Sequence, residues 1–140
     1  MASMTPEQTA EFLAGTNLAH FITTRKDGSP HSVPVWYEFA NDRFYVFTPS
    51  TSLKLRNLAR DPRMVLSIAS ETRPYQYVVA SGQAEIFTND VDVTERAQSI
   101  AGRYEGPEGG IAYIANLRTR FDVALVAMTP TRLTAWSANS

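Results

Sequence analysis

The sequence predicts a mainly β protein with inserted helices, folded as a small antiparallel barrel. Runs of β-forming residues recur about seven times, and most are joined by tight turns rather than by the crossover helices that parallel strands need. Helical patterns are few, with one near the N-terminus and two or three inserted between strands. This order of elements is typical of a closed antiparallel sheet and not of βαβ winding.

Length and composition indicate one domain, residues 1–140, that starts with a helix. Of the 140 residues, 44% are hydrophobic and 19% are charged, so the chain can form a core and is too apolar to be disordered. A formal net charge of −1 argues against a nucleic-acid partner. The sequence contains no signal-peptide pattern, no membrane-length apolar run and no cysteine, and we therefore expect a cytoplasmic protein with no membrane association.

The first elements are a capped helix and three strands at meander spacing. Thr5 and Gln8 form a T-x-x-Q capping box, which predicts a helix that ends at Gly15. Pro34 cannot donate a ladder hydrogen bond, so the second strand should have an edge or a bulge there. The three predicted strands are residues 18–25, 31–39 and 43–48.

The rest of the chain mixes helices with longer strands. We expect Gly82 to form a bulge in one long strand, and the glycine-rich segment 105–110 to be a loop. The predicted helices are residues 53–60, a segment from a cap at Asn89 or Asp90 to about residue 104, and residues 111–117. The predicted strands are residues 64–70, 75–87, 121–128 and 132–136.

No motif of nucleophilic, nucleotide-binding or zinc-dependent catalysis occurs in the sequence. The two histidines, His20 and His31, lack acidic neighbours at ligand spacing, so we expect no metal site. His20 lies in an apolar strand and is expected to be a hydrogen-bonded structural residue. His31 begins a strand beside a turn, where it is a surface residue or lies at the mouth of a pocket.

The segment from Thr48 to Asn57 is the strongest candidate for a binding site. It joins a strand end to a helix start, and hydroxyl side chains precede Lys54 in the first helical turn. Helix N-termini bind phosphate through unpaired N–H groups and the positive end of the helix dipole. The alternative is that Ser52 only caps the helix and Lys54 is a solvated residue. The dipole disfavours a cation in this turn, which favours a bound anion.

Aromatic residues supply a second candidate feature. Tyr75 and Tyr77 occupy alternate positions of the predicted long strand and so face the same side. Such a pair can stack on a planar ring, or it can pack in a core or a dimer interface. The sequence alone leaves both uses open.

Four motifs, in order, resemble those of the pyridoxamine-phosphate-oxidase-like split β-barrel superfamily, especially its small flavin/deazaflavin oxidoreductases of the F-420-dependent type. The resemblance spans residues 18–136, nearly the whole chain, and the third motif is the most specific. The motifs are S-P-H-S-V-P-V-W-Y, F-Y-V-F-T, S-x-K-x-R-N-L-x-R-D-P-R and Y-x-Y-V-V-A-S-G-x-A-E.

The resemblance implies an antiparallel split β-barrel of the FMN-binding type that forms a homodimer, with coenzyme F-420 or alternatively FMN at the subunit interface. It assigns the cofactor phosphate to Lys54, with Thr48, Ser50, Ser52, Arg56 and Asn57 as further contacts. It places the ring system along the backbone of Val33, Pro34 and Val35, beside Tyr75 or Tyr77 of the other subunit. Arg56, Arg60 and Arg63 are candidates for the acidic tail of F-420, or else form a solvated helix face.

The expected activity is hydride transfer between coenzyme F-420, or FMN, and a small organic substrate. Pyridoxamine-phosphate oxidation itself is not expected, because this chain lacks that enzyme's basic residues in the second strand and at the C-terminus. No side chain stands out as a catalytic acid or base, since the cofactor carries the redox chemistry. Two alternatives remain, namely a non-catalytic cofactor carrier or sensor, and a haem-binding barrel with His20 or His31 as axial ligand.

Overall fold

The structure is a computed structural model that describes residues 2–88 and 91–138. The cap predicted at Asn89 or Asp90 lies outside the described residues. The helices are α1 (Pro6–Leu13), α2 (Leu53–Arg60), α3 (Val91–Glu105) and α4 (Pro107–Arg118). The strands are β1 (Ala2–Ser3), β2 (Ala19–Thr24), β3 (Pro30–Val35), β4 (Glu38–Ala40), β5 (Arg43–Pro49), β6 (Arg63–Ala69), β7 (Gln76–Thr88), β8 (Val123–Met128) and β9 (Arg132–Ser137).

Two antiparallel sheets share the long strand β7, which confirms the predicted fold class. The first half of β7 pairs with β6 and β9, and its second half pairs with β8. The strand order is β3-β2-β6-β7-β8-β5-β4, with β9 and β1 attached beside the first half of β7. We call the sheet that contains β2, β3, β6 and β9 sheet A, and the sheet that contains β4, β5 and β8 sheet B.

The main core lies between the two sheets. Alternate residues of each strand point inward, as the buried Phe21, Leu66, Val78, Phe44 and Val126 show. Helices α1 and α2 add buried apolar side chains to this core, whereas α3 packs on the opposite face of sheet B. Full burial of such large side chains contributes about 1.5–3 kcal/mol each, so this core accounts for much of the stability of the fold.

Two local predictions at the N-terminal end are confirmed. Thr5 caps α1, with its hydroxyl accepting from the Gln8 N–H at 3.1 Å while its own N–H donates to the Gln8 side chain at 2.8 Å. Pro34 lies in β3, which is an edge strand of sheet A, where its missing N–H breaks no ladder. Among the described residues, no helix is long and apolar enough to cross a membrane.

The predicted second strand, residues 31–39, is interrupted. β3 ends at Val35 and β4 starts at Glu38, because both intervening side chains are used elsewhere. The Trp36 ring stacks on Tyr104 of α3, with centroids 5.1 Å apart, and the Tyr37 hydroxyl donates to the Leu13 carbonyl at 2.9 Å. Contacts with residues distant in the sequence therefore break the strand.

The prediction of a β-bulge at Gly82 is wrong. The register of β6 and β7 continues without interruption through the pair Met64–Gly82. Glycine is required there by close packing, since a Cβ at residue 82 would lie 2.7 Å from the Thr129 carbonyl oxygen. β7 passes from sheet A to sheet B at this point.

The prediction of a loop at residues 105–110 is also wrong, because α4 already begins at Pro107. Gly110 lies within this helix where α4 crosses α3. A Cβ on Gly110 would lie 2.4 Å from the Gly102 nitrogen. Gly110 therefore permits the close packing of α4 on α3. In the sequence alone, the same glycine resembles a turn signal.

Candidate functional site

The N-terminus of α2 has the form that an anion site requires. Ser52 is the N-cap, and its hydroxyl accepts from the Leu55 N–H at 3.4 Å. The first turn contains no acidic residue, and Lys54 lies in it. The positive end of the helix dipole therefore faces a cation, an arrangement that favours a negatively charged ligand.

Lys54 lies on the side of α2 that packs towards the barrel. Asn57, one turn later, is 1% exposed, and its amide donates to the Thr23 hydroxyl of β2 at 3.0 Å. Residues three apart on a helix share a face, so Lys54 also points towards the β2–β3 side. The Lys54 side chain is half-buried, and this burial lowers the pKa of its ammonium group. Lys54 is therefore not a fully solvated surface residue.

Two polar atoms near this helix end are buried without a hydrogen-bond partner in the described part of the chain. One is Oγ1 of Thr48, a residue that is 2% exposed at the end of β5. The other is Nδ1 of His31 in β3. Buried polar atoms in proteins are normally hydrogen-bonded. Two such atoms without partners near one helix terminus therefore favour the binding of a polar ligand there.

His31 lies beside this site, whereas the sequence placed it only at the surface or at the mouth of a pocket, or as an alternative haem ligand. Its Cα is paired with that of Thr23, the residue that Asn57 contacts, so the imidazole lies beside the inner face of α2. Burial lowers the pKa of His31, and the positive charges of Arg25 and Lys54 lower it further. The sequence feature that could have placed His31 on this side is its position two residues before Val33, because alternate residues of a strand face the same side.

We call the group formed by Thr48, Lys54 and His31, together with the N-terminus of α2, the β3–α2 site. Ser50 is half-buried beside it, and its N–H donates to the Asp122 carbonyl at 2.8 Å. The hydroxyl of Ser52 already accepts the capping hydrogen bond. A phosphate group fits this donor set, since hydroxyls, helix N–H groups and an ammonium are its usual protein ligands.

The neighbouring β3 backbone lies at the edge of sheet A. Val33 and Val35 point inward and pack against the main core, whereas Pro34 is exposed on the outer face. Edge strands present N–H and C=O groups that no neighbouring strand uses. This strand edge can therefore offer backbone groups to a polar ligand.

Asn57 has a structural position rather than a surface one. Its amide donates to Thr23, and its side-chain oxygen accepts from Arg60 at 3.1 Å. Arg60 also donates to the Thr24 carbonyl at 2.9 Å. These contacts fix α2 against β2. Because both polar atoms of the Asn57 side chain are bonded within the chain, this side chain is not available to a ligand.

The three arginines expected near an acidic tail differ in their surroundings. Arg56 is exposed, and its guanidinium donates to the Thr51 carbonyl at 2.9 Å. Arg63 forms a two-point ion pair with Asp61, at 2.7 and 3.0 Å, and this pairing lowers the pKa of Asp61 to about 2. Arg63 is therefore paired although its side chain is 76% exposed, whereas Arg56 contacts only a backbone carbonyl among the described contacts.

Tyr75 and Tyr77 do not reach the β3–α2 site within one chain. Tyr75 is 51% exposed just before β7, and Tyr77 is half-buried opposite Ala69. Strands β2 and β6 separate β7 from β3, a distance of about 14 Å at the usual strand spacing. A tyrosine at this position can border the site only in another copy of the chain.

The prediction for His20 is wrong. The residue is exposed, because the inward positions of β2 are Ala19, Phe21 and Thr23. Among the described residues, no group of three or more potential metal ligands occurs.

The larger clefts of the single chain lie away from the β3–α2 site. One of about 640 Å³ separates α3 from sheet B, and we call it the α3 cleft. Both arginines of its lining are paired with carboxylates, Arg43 with Glu85 at 2.8 Å and Arg96 with Glu38 at 2.6 Å. The α3 cleft is lined by Arg43, Tyr45, Phe87, Asp92, Val93, Glu95, Arg96, Ser99 and Leu125.

The two antiparallel sheets that share β7, with helices inserted between the strands, form a split β-barrel. The family model described as pyridoxamine 5'-phosphate oxidase matches residues 5–137, so the chain belongs to this family. A search of curated protein sequences gives no match.

Several solved structures share the fold at low sequence identity. A conserved hypothetical protein from Mycobacterium tuberculosis has 24% identity and a TM-score of 0.82 over 97% of this chain and 86% of its own. A structure named F420 reductase has 21% identity and a TM-score of 0.73, covering 92% of this chain and 98% of its own. The haem storage protein HutZ from Vibrio cholerae has 16% identity and a TM-score of 0.72, covering 91% and 92%.

Proposed function

We propose that this chain is an oxidoreductase that binds coenzyme F-420, or alternatively FMN, and transfers hydride between the cofactor and a small organic substrate. The observation that carries the proposal is the β3–α2 site, where a half-buried lysine and two unpaired buried polar atoms surround a helix N-terminus. The fold shared with the F420 reductase structure supports it.

In this proposal the β3–α2 site holds the phosphate of the cofactor. Lys54 supplies the charge, the first N–H groups of α2 supply oriented donors, and Thr48 and Ser50 supply hydroxyls. The backbone of Val33, Pro34 and Val35 orients the ring system along the sheet edge. A bound flavin or deazaflavin supplies the hydride chemistry, while the protein binds, orients and excludes water.

We further propose that the functional unit is a homodimer with the cofactor between the subunits. The outer face of sheet A carries the half-buried Ile22, Val65, Tyr77 and Val79, whereas α3 covers the corresponding face of sheet B. A second copy on this face would protect those side chains and bring Tyr75 or Tyr77 to the β3–α2 site. Stable dimers of this kind bury more than about 2,000 Å².

The assembly is tested by size-exclusion chromatography with light scattering at micromolar concentration. We expect the mass of two chains. A monomer that binds the cofactor tightly would contradict a site that needs both subunits.

An absorbance spectrum, taken before and after addition of F-420 or FMN, tests the binding itself. We expect a shifted cofactor band and saturable quenching of cofactor fluorescence, whereas no response to either cofactor would refute the proposal. A Soret band in the purified protein, or after haem addition, would instead support a haem-binding role like that named for HutZ.

Turnover separates an enzyme from a carrier or sensor, which would use the same residues. The assay follows oxidation of the reduced cofactor in the presence of a panel of enones, quinones and tetrapyrroles. Acceptor-dependent oxidation supports the enzyme. Tight binding without turnover on any acceptor supports the carrier.

A further inference from the structure

His31 is the titratable side chain of the β3–α2 site that the proposed function leaves unused. It is half-buried on the inward row of β3, opposite Thr23. Thr23 in turn accepts a hydrogen bond from Asn57, which lies one helical turn after Lys54. The imidazole is therefore close to the helix face that carries the candidate phosphate ligand.

The Nδ1 atom of His31 is buried and lacks a hydrogen-bond partner within residues 2–88 and 91–138. Buried polar atoms in proteins normally have a hydrogen-bond partner, so an atom that lacks one within the chain usually bonds a ligand or water. Thr48, on the strand that leads into α2, has an unpaired buried oxygen as well. The two atoms lie on separate strands near one helix end, which points to a shared polar ligand.

The charges around His31 are positive. Arg25, at the end of β2, and Lys54, on α2, both act on the imidazole. The nearby turn contains Asp27, but its carboxylate accepts from the Ser29 N–H at 3.0 Å and from the Ser29 hydroxyl at 2.6 Å. Without a ligand, burial and the two cations lower the pKa of His31 and thereby favour its neutral form.

We infer that His31 is a further ligand of the cofactor phosphate and takes up a proton when the phosphate binds. The inference rests on the proposed function, since the phosphate is that of F-420 or FMN. A solvent proton adds to the neutral imidazole, and the resulting Nδ1–H donates to a phosphate oxygen. The bound anion stabilises the imidazolium that Arg25 and Lys54 disfavour in the free protein.

Proton uptake couples cofactor affinity to pH. Between the pKa of His31 in the free protein and its higher pKa in the complex, the dissociation constant rises with increasing pH. One proton taken up gives a limiting slope of about tenfold per pH unit. Cofactor capture would therefore be tighter in mildly acidic than in alkaline solution.

The test compares dissociation constants of F-420 and FMN for wild type and His31→Asn at pH 6 and pH 8. The asparagine amide retains a neutral donor near the Nδ1 position but cannot gain a proton. We expect the ratio of variant to wild-type dissociation constants to be on the order of ten times larger at pH 6 than at pH 8. The phosphate of FMN titrates near pH 6 itself, but this affects both proteins equally and cancels in the ratio.

A nuclear magnetic resonance titration provides a readout that does not depend on activity. The chain has two histidines, so the His31→Asn variant retains a single imidazole signal, that of His20. Comparison with the wild-type spectrum then assigns both histidine signals. We expect the midpoint of the His31 signal to move to higher pH when FMN or F-420 saturates the protein. An unmoved midpoint, or a ratio of dissociation constants that is the same at both pH values, would overturn the inference.

These outcomes separate the two proposals. If the wild type binds neither cofactor, the proposed function fails and the His31 inference fails with it. If the wild type binds a cofactor and Lys54→Ala weakens binding, but His31→Asn gives a constant ratio, only the inference fails.

Discussion

The α3 cleft and the β3–α2 site both bring cations next to polar or aromatic side chains, but they differ in how those cations are compensated. In the α3 cleft, Arg96 contacts Glu38 at 2.6 Å and lies 4.3 Å from the Tyr45 ring centroid. The Ser99 hydroxyl donates to the same carboxylate at 2.9 Å, and Arg43 pairs with Glu85. Both cations of the cleft therefore have carboxylate partners, although Nε of Arg43 is buried and unpaired among the described residues.

The β3–α2 site has the opposite character. Lys54 and His31 are half-buried, the positive charges of Arg25 and Lys54 act on His31, and the Asp27 carboxylate is bonded to Ser29 in the adjacent turn. In the α3 cleft, of about 640 Å³, the two arginines are neutralised by carboxylates of the same chain. The comparison teaches that the cations of the two regions are compensated differently, by carboxylates in the α3 cleft and, in our proposal, by a bound phosphate in the β3–α2 site.

The largest expected effect concerns the packing of α4 on α3, next to the α3 cleft. In Gly110→Ala, the new methyl group would meet backbone atoms of Gly102 and Gln98 at 2.4–2.8 Å. We expect a loss of about 3 kcal/mol in the free energy of unfolding, the upper end of the range for overpacking. Urea denaturation measures it.

Gly109→Ala is the matched control, because its methyl group would approach only Cβ of Glu105, at 3.1 Å, and no backbone atom outside its own helix. Alanine also favours a helix over glycine by about 1 kcal/mol, so this variant should be as stable as wild type or more so. Equal losses in both variants would show that helix packing at Gly110 is not the cause.

A second prediction tests whether the α3 cleft is a structural ion-pair network. Arg96→Ala leaves the Glu38 carboxylate, 16% exposed, with only Ser99 as its polar partner among the contacts described. We expect a destabilisation of about 2–3 kcal/mol, somewhat less than for a fully buried pair. Glu95→Ala, an exposed position one residue away, should change stability by less than about 0.5 kcal/mol. Matching values for the two variants would mean that the pairing contributes nothing.

Local sequence patterns predicted much of the barrel but less of the site. The cap at Thr5, the edge strand at Pro34 and the first turn of α2 at Lys54 depend on residues close together in the chain. The break at Trp36 depends on Tyr104, and the helical glycine at residue 110 depends on Gly102 across a helix interface. Such contacts leave no local signal.

The same reason explains what was missed in the site. The helix-start motif identifies Lys54, but its half-buried state depends on how Asn57 fixes α2 against Thr23. His31 joins the site through the pairing of β3 with β2, and a single strand pattern does not show which polar residue will lack a partner. Asn57 itself matches the family motif, yet its contacts are internal.

A third and smaller effect concerns the tyrosines that a second subunit would contribute. Tyr75 is half-exposed and contacts Arg73 through its ring, so Tyr75→Ala should leave the fold intact. If the ring borders the cofactor of the partner, cofactor binding should weaken by about 1 kcal/mol, the scale of one aromatic contact. Fluorescence titration measures this loss, with Tyr77→Ala examined in parallel. Unchanged affinity in both variants would remove the tyrosines from the site.

Lys54 provides the most direct test, because the β3–α2 site depends on its charge. Lys54→Ala should weaken the binding of F-420 and FMN by about 1.5–3 kcal/mol, the range for a hydrogen bond to a charged group. Stability without cofactor should stay the same or rise slightly, since an unfavourable charge–dipole interaction is removed. Lys26→Ala is the control, because Lys26 is exposed in the β2–β3 turn and is the only other lysine of the chain.

The decisive measurement is therefore a fluorescence titration of wild type, Lys54→Ala and Lys26→Ala with F-420 and with FMN. Our account predicts a dissociation constant roughly ten- to a hundredfold higher for Lys54→Ala alone, and wild-type affinity for Lys26→Ala. Equal affinities for all three proteins would contradict a phosphate site at the N-terminus of α2.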